Sequence, residues 1–138
     1  MGNALEEGQA LTLDFKKLAK AVAAAAEIIP VAVQHVDSRE VILVAYVNEL
    51  ALQRSLELKE AVFWSTSRNT LWHKGMESGN TFELCEVRVN CEQNSLLFLV
   101  RPKGGGMCHT RNEQGTARRG CYYRRLDMAT GGLVNEEP

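Results

Sequence analysis

Hydrophobic and polar positions alternate in short blocks along this chain, which predicts brief helices and strands. Residues 14–29 (DFKKLAKAVAAAAEII) are rich in alanine and lie between Asp14, which suits a helix N-cap, and Pro30, which cannot continue a helix. We therefore expect a helix over residues 14–29. Leucines separated by charged residues within 49–60 (ELALQRSLELKE) predict a second, amphipathic helix.

β-Branched and aromatic runs predict the strands. Residues 31–37 and 40–47 flank the turn-like Asp37-Ser38-Arg39, a pattern that indicates a hairpin. Further strands are predicted at residues 61–68, 70–75, 82–92, 95–102 and 121–126. The run SLLFLVRP at 95–102 is almost entirely apolar, so we expect that strand to be buried on both faces.

Residues 82–92 (FELCEVRVNCE) alternate regularly between two faces. The alternation places Phe82 and Leu84 on one face and Cys85 and Cys91 on the other. Between apolar neighbours, Cys85 is best interpreted as a small core residue, whereas Cys91 falls at the end of the strand, where ligands are usually presented.

Together these elements predict one small α+β domain dominated by antiparallel sheet, with two or so short helices. A chain of 138 residues is long enough to bury a core without disulfide bonds. We expect the folded domain to span residues 13–126, between a flexible N-terminal segment (1–12) and a solvated C-terminal tail (127–138).

The net charge and the search for targeting signals indicate which partners and which location to expect. The formal net charge of −1 gives no general reason to expect a nucleic acid or an acidic membrane surface. The first 15 residues contain three acidic residues and no apolar run, unlike a secretory signal. No segment approaches the roughly 20 apolar residues of a membrane span. We expect a cytoplasmic protein with reduced cysteines and no nucleic-acid or membrane partner.

Three of the four cysteines, Cys91, Cys108 and Cys121, lie at predicted junctions between loops and strands. Three thiolates can hold a catalytic zinc ion that keeps its fourth position for water. Their spacing is not that of a zinc ribbon, so buried or redox-active thiols remain an alternative. His109 is adjacent to Cys108, which makes joint metal binding awkward and favours a general acid or base.

Other polar clusters allow two interpretations. The segment WHKGMESGN (72–80) is either a surface loop or a phosphate or ribose cradle, in which Gly75 and Gly79 let backbone N–H groups approach a ligand. The arginines around the cysteines form either a solvated face or anchors for an anionic substrate. The candidate substrate-binding residues in these clusters are Ser65, Ser67, Arg68, Lys74, Ser78, Gly79, Arg118 and Arg119.

Several motifs, taken together and in order, resemble the phosphoribosyl-AMP cyclohydrolase family of histidine biosynthesis. They are IIPVAVQ, EVILVAYVNELAL, FWSTSR, LWHKGMESGN, NCEQNSLLFLV, CHT and RRGCYYRRL, spread over residues 13–126. The resemblance implies a homodimer with active sites at the subunit interface, acting on a small nucleotide. It also implies hydrolysis of the N1–C6 bond of the adenine ring, with zinc held by three cysteines and with magnesium also required.

The resemblance assigns roles to individual residues. Zinc ligands fall on Cys91, Cys108 and Cys121, and zinc-activated water would attack C6, as in base deaminases. His109 and His73 are the catalytic candidates, and His109 would move the proton. The loop that borders the substrate corresponds to Trp72, His73, Lys74, Ser78 and Gly79.

The chain departs from the family pattern where the family carries three carboxylates for magnesium. Asn90, Glu92 and Asn94 occupy those positions, and one carboxylate with two amides predicts weak binding of Mg²⁺. The loop between Cys108 and Cys121 also contains an insertion, NEQGTA. These departures leave two further hypotheses: a paralogue that hydrolyses another purine-like nucleotide, and a non-catalytic relative that binds nucleotide or zinc.

Overall fold

The computed structural model describes residues 3–23, 27–104 and 107–138. The helices in these ranges are α1 (Ala4–Glu7), α2 (Lys17–Ala23) and α3 (Glu49–Leu58). The strands are β1 (Ile29–His35), β2 (Val41–Val47), β3 (Val62–Ser65), β4 (Thr70–His73), β5 (Phe82–Val89), β6 (Leu96–Pro102), β7 (Arg124–Leu126) and β8 (Leu133–Asn135). No helix within the described ranges is both long and apolar enough to cross a membrane.

The main sheet has four strands in the order β2-β1-β6-β5. The β1–β2 and β5–β6 pairs are antiparallel, and only β1–β6 is parallel, which confirms the α+β class with a mostly antiparallel sheet. Phe98, Leu99 and Val100 of the interior strand β6 are all buried. This burial on alternating faces confirms the expectation from the apolar run.

The hairpin of β3 and β4 packs against this sheet through aromatic side chains. Phe63 of β3 is fully buried, with its ring centroid 6.0 Å from that of Phe98 and 5.5 Å from that of Trp72. Because β4 ends at His73, this packing fixes the base of the following loop, which contains the predicted substrate-binding residues.

A β-bulge corrects the expected alternation in β5. The register with β6 shifts between Leu84 and Glu86, so Cys85 is the extra residue of the bulge. Val87 thereby joins Leu84 in contact with the core. The interpretation of Cys85 as a core residue was wrong, because its side chain is exposed.

Both ends of the chain contain more structure than their polar composition predicts. The segment expected to be a solvated tail contains β8, which pairs with β7 at the end of the strand predicted over 121–126, and the N-terminal segment contains α1. Of the helix expected over 14–29, α2 covers part, residues 24–26 lie outside the described ranges, and Pro30 lies within β1. The domain boundaries at 12/13 and 126/127 remain predictions.

A single buried hydroxyl joins α3 to the β3–β4 hairpin. Ser55 Oγ lies 2.9 Å from Ala51 O and from Val62 O, and it accepts a hydrogen bond of 2.9 Å from Val62 N–H. Ser55 is completely buried, so water cannot replace the side chain as the acceptor.

We expect Ser55→Ala to lower the free energy of unfolding by about 1–3 kcal/mol, because the Val62 N–H loses its partner in the core. Urea denaturation monitored by circular dichroism measures this change. Gln53→Ala, on the exposed side of α3, is the matched control and should change stability by less than about 0.5 kcal/mol. Equal effects of the two substitutions would contradict the structural role of the hydroxyl.

Candidate active site

The segment between Cys108 and Cys121 folds back on itself as a tight hairpin. Cys108 N–H donates to Arg118 O at 3.0 Å, and Arg118 N–H donates to Thr110 O at 3.1 Å. The tip is closed by Gly115 N–H, which donates to Asn112 O at 3.0 Å. The inserted residues therefore form a defined hairpin, which holds Cys108 next to the chain that leads to Cys121.

Cys121 is fixed from the opposite side by β2. Its N–H donates to Ile42 O at 2.7 Å. The preceding residue, Gly120, passes so close to β2 that a Cβ atom there would lie 3.1 Å from Ile42 O. The two cysteines are thus brought together by one hairpin and one edge strand.

The two thiol groups influence each other and shift each other's pKa in opposite directions. The hydrogen bond from Cys121 lowers the pKa of Cys108 to about 5, against the opposing effect of burial. The hydroxyl of Thr110, with Oγ1 3.1 Å from Cys108 Sγ, also stabilises the thiolate. The pKa of Cys121 is raised, first by its bond to Cys108 and then by burial. The pair therefore carries one thiolate at neutral pH.

Lys74 places a buried ammonium group beside this pair. Its residue is only 7% exposed, and Nζ lies 5.2 Å from the ring centroid of Phe82 and 5.9 Å from that of Trp72. Burial lowers the pKa of Lys74, and the charges of Cys121 and Cys108 oppose this effect. The lysine expected to bind substrate thus interacts electrostatically with the thiol pair.

A cleft of about 400 Å³ lies next to the thiols. Among its lining residues are Arg68, Trp72, His73, Lys74, Ser78 and His109. The structure thereby brings together both histidines that the sequence singled out. His73 is held by Glu60, with Nε2 2.8 Å from Oε1, and Glu60 also pairs with Lys103 at 2.6 Å.

The loop after β4 uses its own backbone donors. Gly79 N–H donates to Gly75 O at 2.8 Å, and Asn80 N–H donates to Ser78 Oγ at 3.3 Å. Gly75 has φ of +80°, and a Cβ atom there would collide with the backbone of Asn80. Glycine is required here by the turn, and the Gly79 N–H is not directed at a ligand.

Ser65 and Ser67 lie in a neighbouring cleft of about 340 Å³. Trp72 lines both this cleft and the one that contains the histidines, so the two clefts adjoin at this residue. The two hydroxyl oxygens are 3.3 Å apart, and Ser65 Oγ accepts from Arg68 N–H at 3.3 Å. Ser65 and Ser67 therefore lie in a cleft next to the one that contains the histidines, and not in that cleft itself.

Arg118 and Arg119 point away from both clefts. Arg118 is only 3% exposed, and it makes a bidentate pair with Glu7 at 2.7 and 2.9 Å. Its Nε donates to Glu137 O at 2.9 Å. Arg119 is exposed and pairs with Glu137 at 3.2 Å and Glu40 at 3.5 Å. Within the described chain, these guanidinium groups pair with acidic side chains. A substrate phosphate would have to displace those carboxylates to bind here.

Cys91 lies at the opposite corner of the main sheet from the thiol pair. It follows the edge strand β5, near the start of β6, whereas Cys121 is bound to the start of the other edge strand, β2. With strands about 4.8 Å apart and about 3.3 Å of rise per residue, the separation is roughly 20 Å. Accordingly, no group of three or more His, Cys, Asp or Glu suited to a metal occurs in residues 3–23, 27–104 and 107–138.

The three positions considered for magnesium bind one another. Asn90 Oδ1 accepts from the backbone N–H groups of Asn94 and Ser95 at 2.9 and 3.0 Å. Asn90 Nδ2 donates to Asn94 Oδ1 at 2.6 Å, and Asn94 Nδ2 donates to Glu92 at 3.3 Å. These side chains thus close the β5–β6 turn with their own amide groups.

Comparison with known proteins identifies the family to which this site belongs. A family model described as phosphoribosyl-AMP cyclohydrolase matches residues 43–123. The chain belongs to the phosphoribosyl-AMP cyclohydrolase family. The enzyme of that name from Cupriavidus metallidurans is 40% identical over 113 residues, which cover 80% of this chain and 79% of the relative. The corresponding enzyme of Thioalkalivibrio sulfidiphilus is 42% identical over 98 residues, covering 71% of this chain and 70% of the relative.

Membership in the phosphoribosyl-AMP cyclohydrolase family confirms the resemblance and the enzyme class. Three polar residues of the site were missed by the sequence reasoning. Thr110 completes the CHT motif and could have been found from its position beside Cys108. Glu60 and Glu6, which contact His73 and His109, gave no local signal, because each is distant from its partner in the sequence.

We expect the metal-free protein to carry one thiolate of the Cys108–Cys121 pair at neutral pH. A lowered pKa means that the thiolate is present above pH about 5 and is lost as the pH falls through that value. Ultraviolet absorbance of the thiolate during a pH titration measures this. In Cys121→Ala the transition should move up toward the ordinary cysteine value of about 8.5. Cys85→Ala is the control, and an equal upward movement there would contradict the assignment.

Proposed function

We propose that this chain catalyses the zinc-dependent hydrolysis of the N1–C6 bond in the adenine ring of phosphoribosyl-AMP, the third step of histidine biosynthesis. The observation that carries the proposal is the thiol pair of Cys108 and Cys121 beside a cleft lined by His109, His73 and Lys74, in a chain of this family. We infer that it acts in the cytoplasm, where the thiols remain reduced.

The donor chemistry of the thiol pair fits zinc. Thiolates are preferred zinc ligands. A thiol with a lowered pKa loses its proton at little cost in free energy when it binds a cation. Two thiolates are fewer than the three protein ligands of a catalytic site. Zinc–sulfur bonds of about 2.3 Å cannot reach Cys91 of the same chain across roughly 20 Å. We therefore propose that a second copy of the chain supplies Cys91, so that each dimer has two shared sites.

The reaction requires a nucleophile at C6 and a proton at N1. When bound, zinc lowers the pKa of water and so supplies the nucleophile. His109, at the edge of the cleft, accepts the proton from water and delivers it to N1 as the N1–C6 bond breaks. Trp72 offers an aromatic surface for the ring, and Arg68 and Ser78 are the polar groups of the same cleft that can bind the phosphates. His73, oriented by Glu60, is the second candidate for proton transfer.

The residues present do not fit a magnesium site in the β5–β6 turn. Both amide oxygens already accept hydrogen bonds within the turn, and Glu92 is the only carboxylate among the three positions. Mg²⁺ requires hard oxygen ligands in nearly octahedral geometry, which this turn would have to unfold to provide. We derive no step of the reaction from a metal at this position.

We expect zinc-loaded protein to open the ring of phosphoribosyl-AMP, measured by the ultraviolet change, at a rate that does not depend on magnesium. Serine substitution at Cys91, Cys108 or Cys121 should lower zinc content and turnover together, since a neutral hydroxyl replaces a strong thiolate ligand. Cys85→Ser, at the exposed bulge, is the matched control and should retain both.

Three outcomes would change the proposal. Loss of zinc from Cys85→Ser, with zinc retained in Cys121→Ser, would overturn the ligand assignment. Full zinc loading without turnover of phosphoribosyl-AMP would favour a paralogue that hydrolyses another purine-like nucleotide. The replacement of carboxylates by amides at Asn90 and Asn94 is the observation that favours this second candidate. Tight nucleotide binding without hydrolysis of any such compound would favour the non-catalytic relative.

We expect two inactive variants to restore activity to each other when the site is shared. A mixed dimer of Cys91→Ser and Cys108→Ser chains contains one intact site and one doubly altered site. Random exchange of subunits should therefore give about a quarter of the wild-type turnover. Mixing Cys108→Ser with Cys121→Ser should restore none, because both substitutions lie in the same half-site. Equal recovery in both mixtures, or recovery in neither, would contradict the shared arrangement.

A further inference from the structure

The N-terminal segment around α1 is held by side chains that closely follow Cys121 in the chain. Tyr123 Oη donates to Glu6 O at 2.8 Å. Arg124 Nη2 donates to Leu5 O at 2.8 Å, and its Nη1 donates to Gly8 O at 3.0 Å. An arginine and a tyrosine thus bind the carbonyl groups at the end of this short helix, which satisfies groups that a helix terminus leaves free.

Two further contacts hold the same segment. Glu7 forms the bidentate pair with buried Arg118, and Leu133 N–H of β8 donates to Gln9 O at 2.8 Å. The segment is therefore attached both to the hairpin between Cys108 and Cys121 and to the β7–β8 hairpin. It lies outside residues 43–123, which the family model matches.

The carboxylate of Glu6 joins this segment to His109. Glu6 Oε2 lies 3.0 Å from His109 Nε2. Its other oxygen, Oε1, accepts from Asn3 Nδ2 at 3.0 Å, while Asn3 Oδ1 accepts from Glu6 N–H at 3.0 Å. These two bonds resemble a capping box, with the side-chain amide of Asn3 in place of its backbone N–H, and they fix the direction of the carboxylate that contacts the imidazole.

The Glu6–His109 contact has little to contribute to stability. The His109 side chain is 76% exposed, and exposed ion pairs are largely screened by solvent. Its effect is on the orientation of the ring. A carboxylate at Nε2 favours the neutral tautomer in which Nε2–H donates to the carboxylate and Nδ1 keeps its lone pair.

We propose that Glu6 is a positioning residue for His109, and that the N-terminal segment is thereby part of the active site. The proposal rests on the proposed function, in which His109 transfers the proton. Glu6 holds one ring nitrogen so that the other is presented as a base at the edge of the cleft. Carboxylates that orient metal-ligating histidines typically change metal affinity or activity by about 10–100-fold, and we expect an effect at the lower end of that range for a histidine that transfers a proton.

The test is a double-substitution cycle on the zinc-loaded protein with phosphoribosyl-AMP. Glu6→Gln retains the acceptor for Asn3 but loses the charge, and we expect it to lower kcat by about 10-fold with KM changed less than about 2-fold. Glu6→Asp should recover part of kcat. In a His109→Ala background, Glu6→Gln should have no further effect, because the two residues act as one unit.

Glu113→Ala is the control. Glu113 lies in the same hairpin as His109, and it makes no ion pair among the described residues. It should leave kcat unchanged. An equal loss of kcat from Glu6→Gln with and without His109, or full activity of Glu6→Gln, would overturn the proposal.

A measurement independent of turnover separates this proposal from the proposed function. The chain has three histidines, so the ring ¹⁵N signals can be assigned by single substitutions. Glu6→Gln should change the signals of His109 and leave those of His35 and His73 in place. His35 is a suitable internal reference, because its Nδ1 accepts from Asp37 N–H at 3.1 Å, away from Glu6. If the wild-type chain fails to turn over phosphoribosyl-AMP, the proposed function fails, and these signals alone decide whether Glu6 positions His109. Unchanged His109 signals in Glu6→Gln would overturn the contact.

Discussion

Two sulfur atoms held together beside a buried ammonium group are the constraint on which the rest of the site depends. Thiols in contact repel once both ionise, so the chain must force their approach and supply positive charge. The hairpin from Cys108 to Arg118 and the bond from Cys121 N–H to Ile42 O provide the approach. The packing of Phe63 against the sheet fixes β4 and hence Lys74, which supplies the charge.

This constraint explains which parts of the molecule the sequence could predict. Apolar periodicity is local, so it located α3, the β1–β2 hairpin and the buried strand β6. The sequence predicted one set of three cysteines, of which the single chain places Cys108 and Cys121 together and Cys91 at the opposite corner of the sheet. Cys85 was placed in the core because alternation was assumed to be unbroken, and a bulge has no clear signature in residue order.

The arginines and the N-terminal segment escaped prediction for a different reason. Arg118 was expected to face solvent or phosphate, but its partner Glu7 lies 111 residues earlier in the chain. Likewise, 103 residues separate Glu6 from His109. Contacts between residues so far apart in the sequence are set by the fold and not by local spacing. From composition alone, each of these charged residues is therefore expected to lie on the surface. Strand β8 was also missed, because a run of three residues, Leu133–Asn135, is too short to show a clear alternation.

The charge balance of the proposed zinc site also bears on the role of Lys74. Three thiolates and one Zn²⁺ leave about one net negative charge in a partly buried place, where uncompensated charge is costly. The Lys74 ammonium, buried against Phe82 and Trp72, offsets that charge and brings the centre near neutrality. A lysine committed in this way is a poor phosphate ligand. Recognition of the substrate's phosphates then depends on groups farther along the clefts, and Arg68 is the cation placed there.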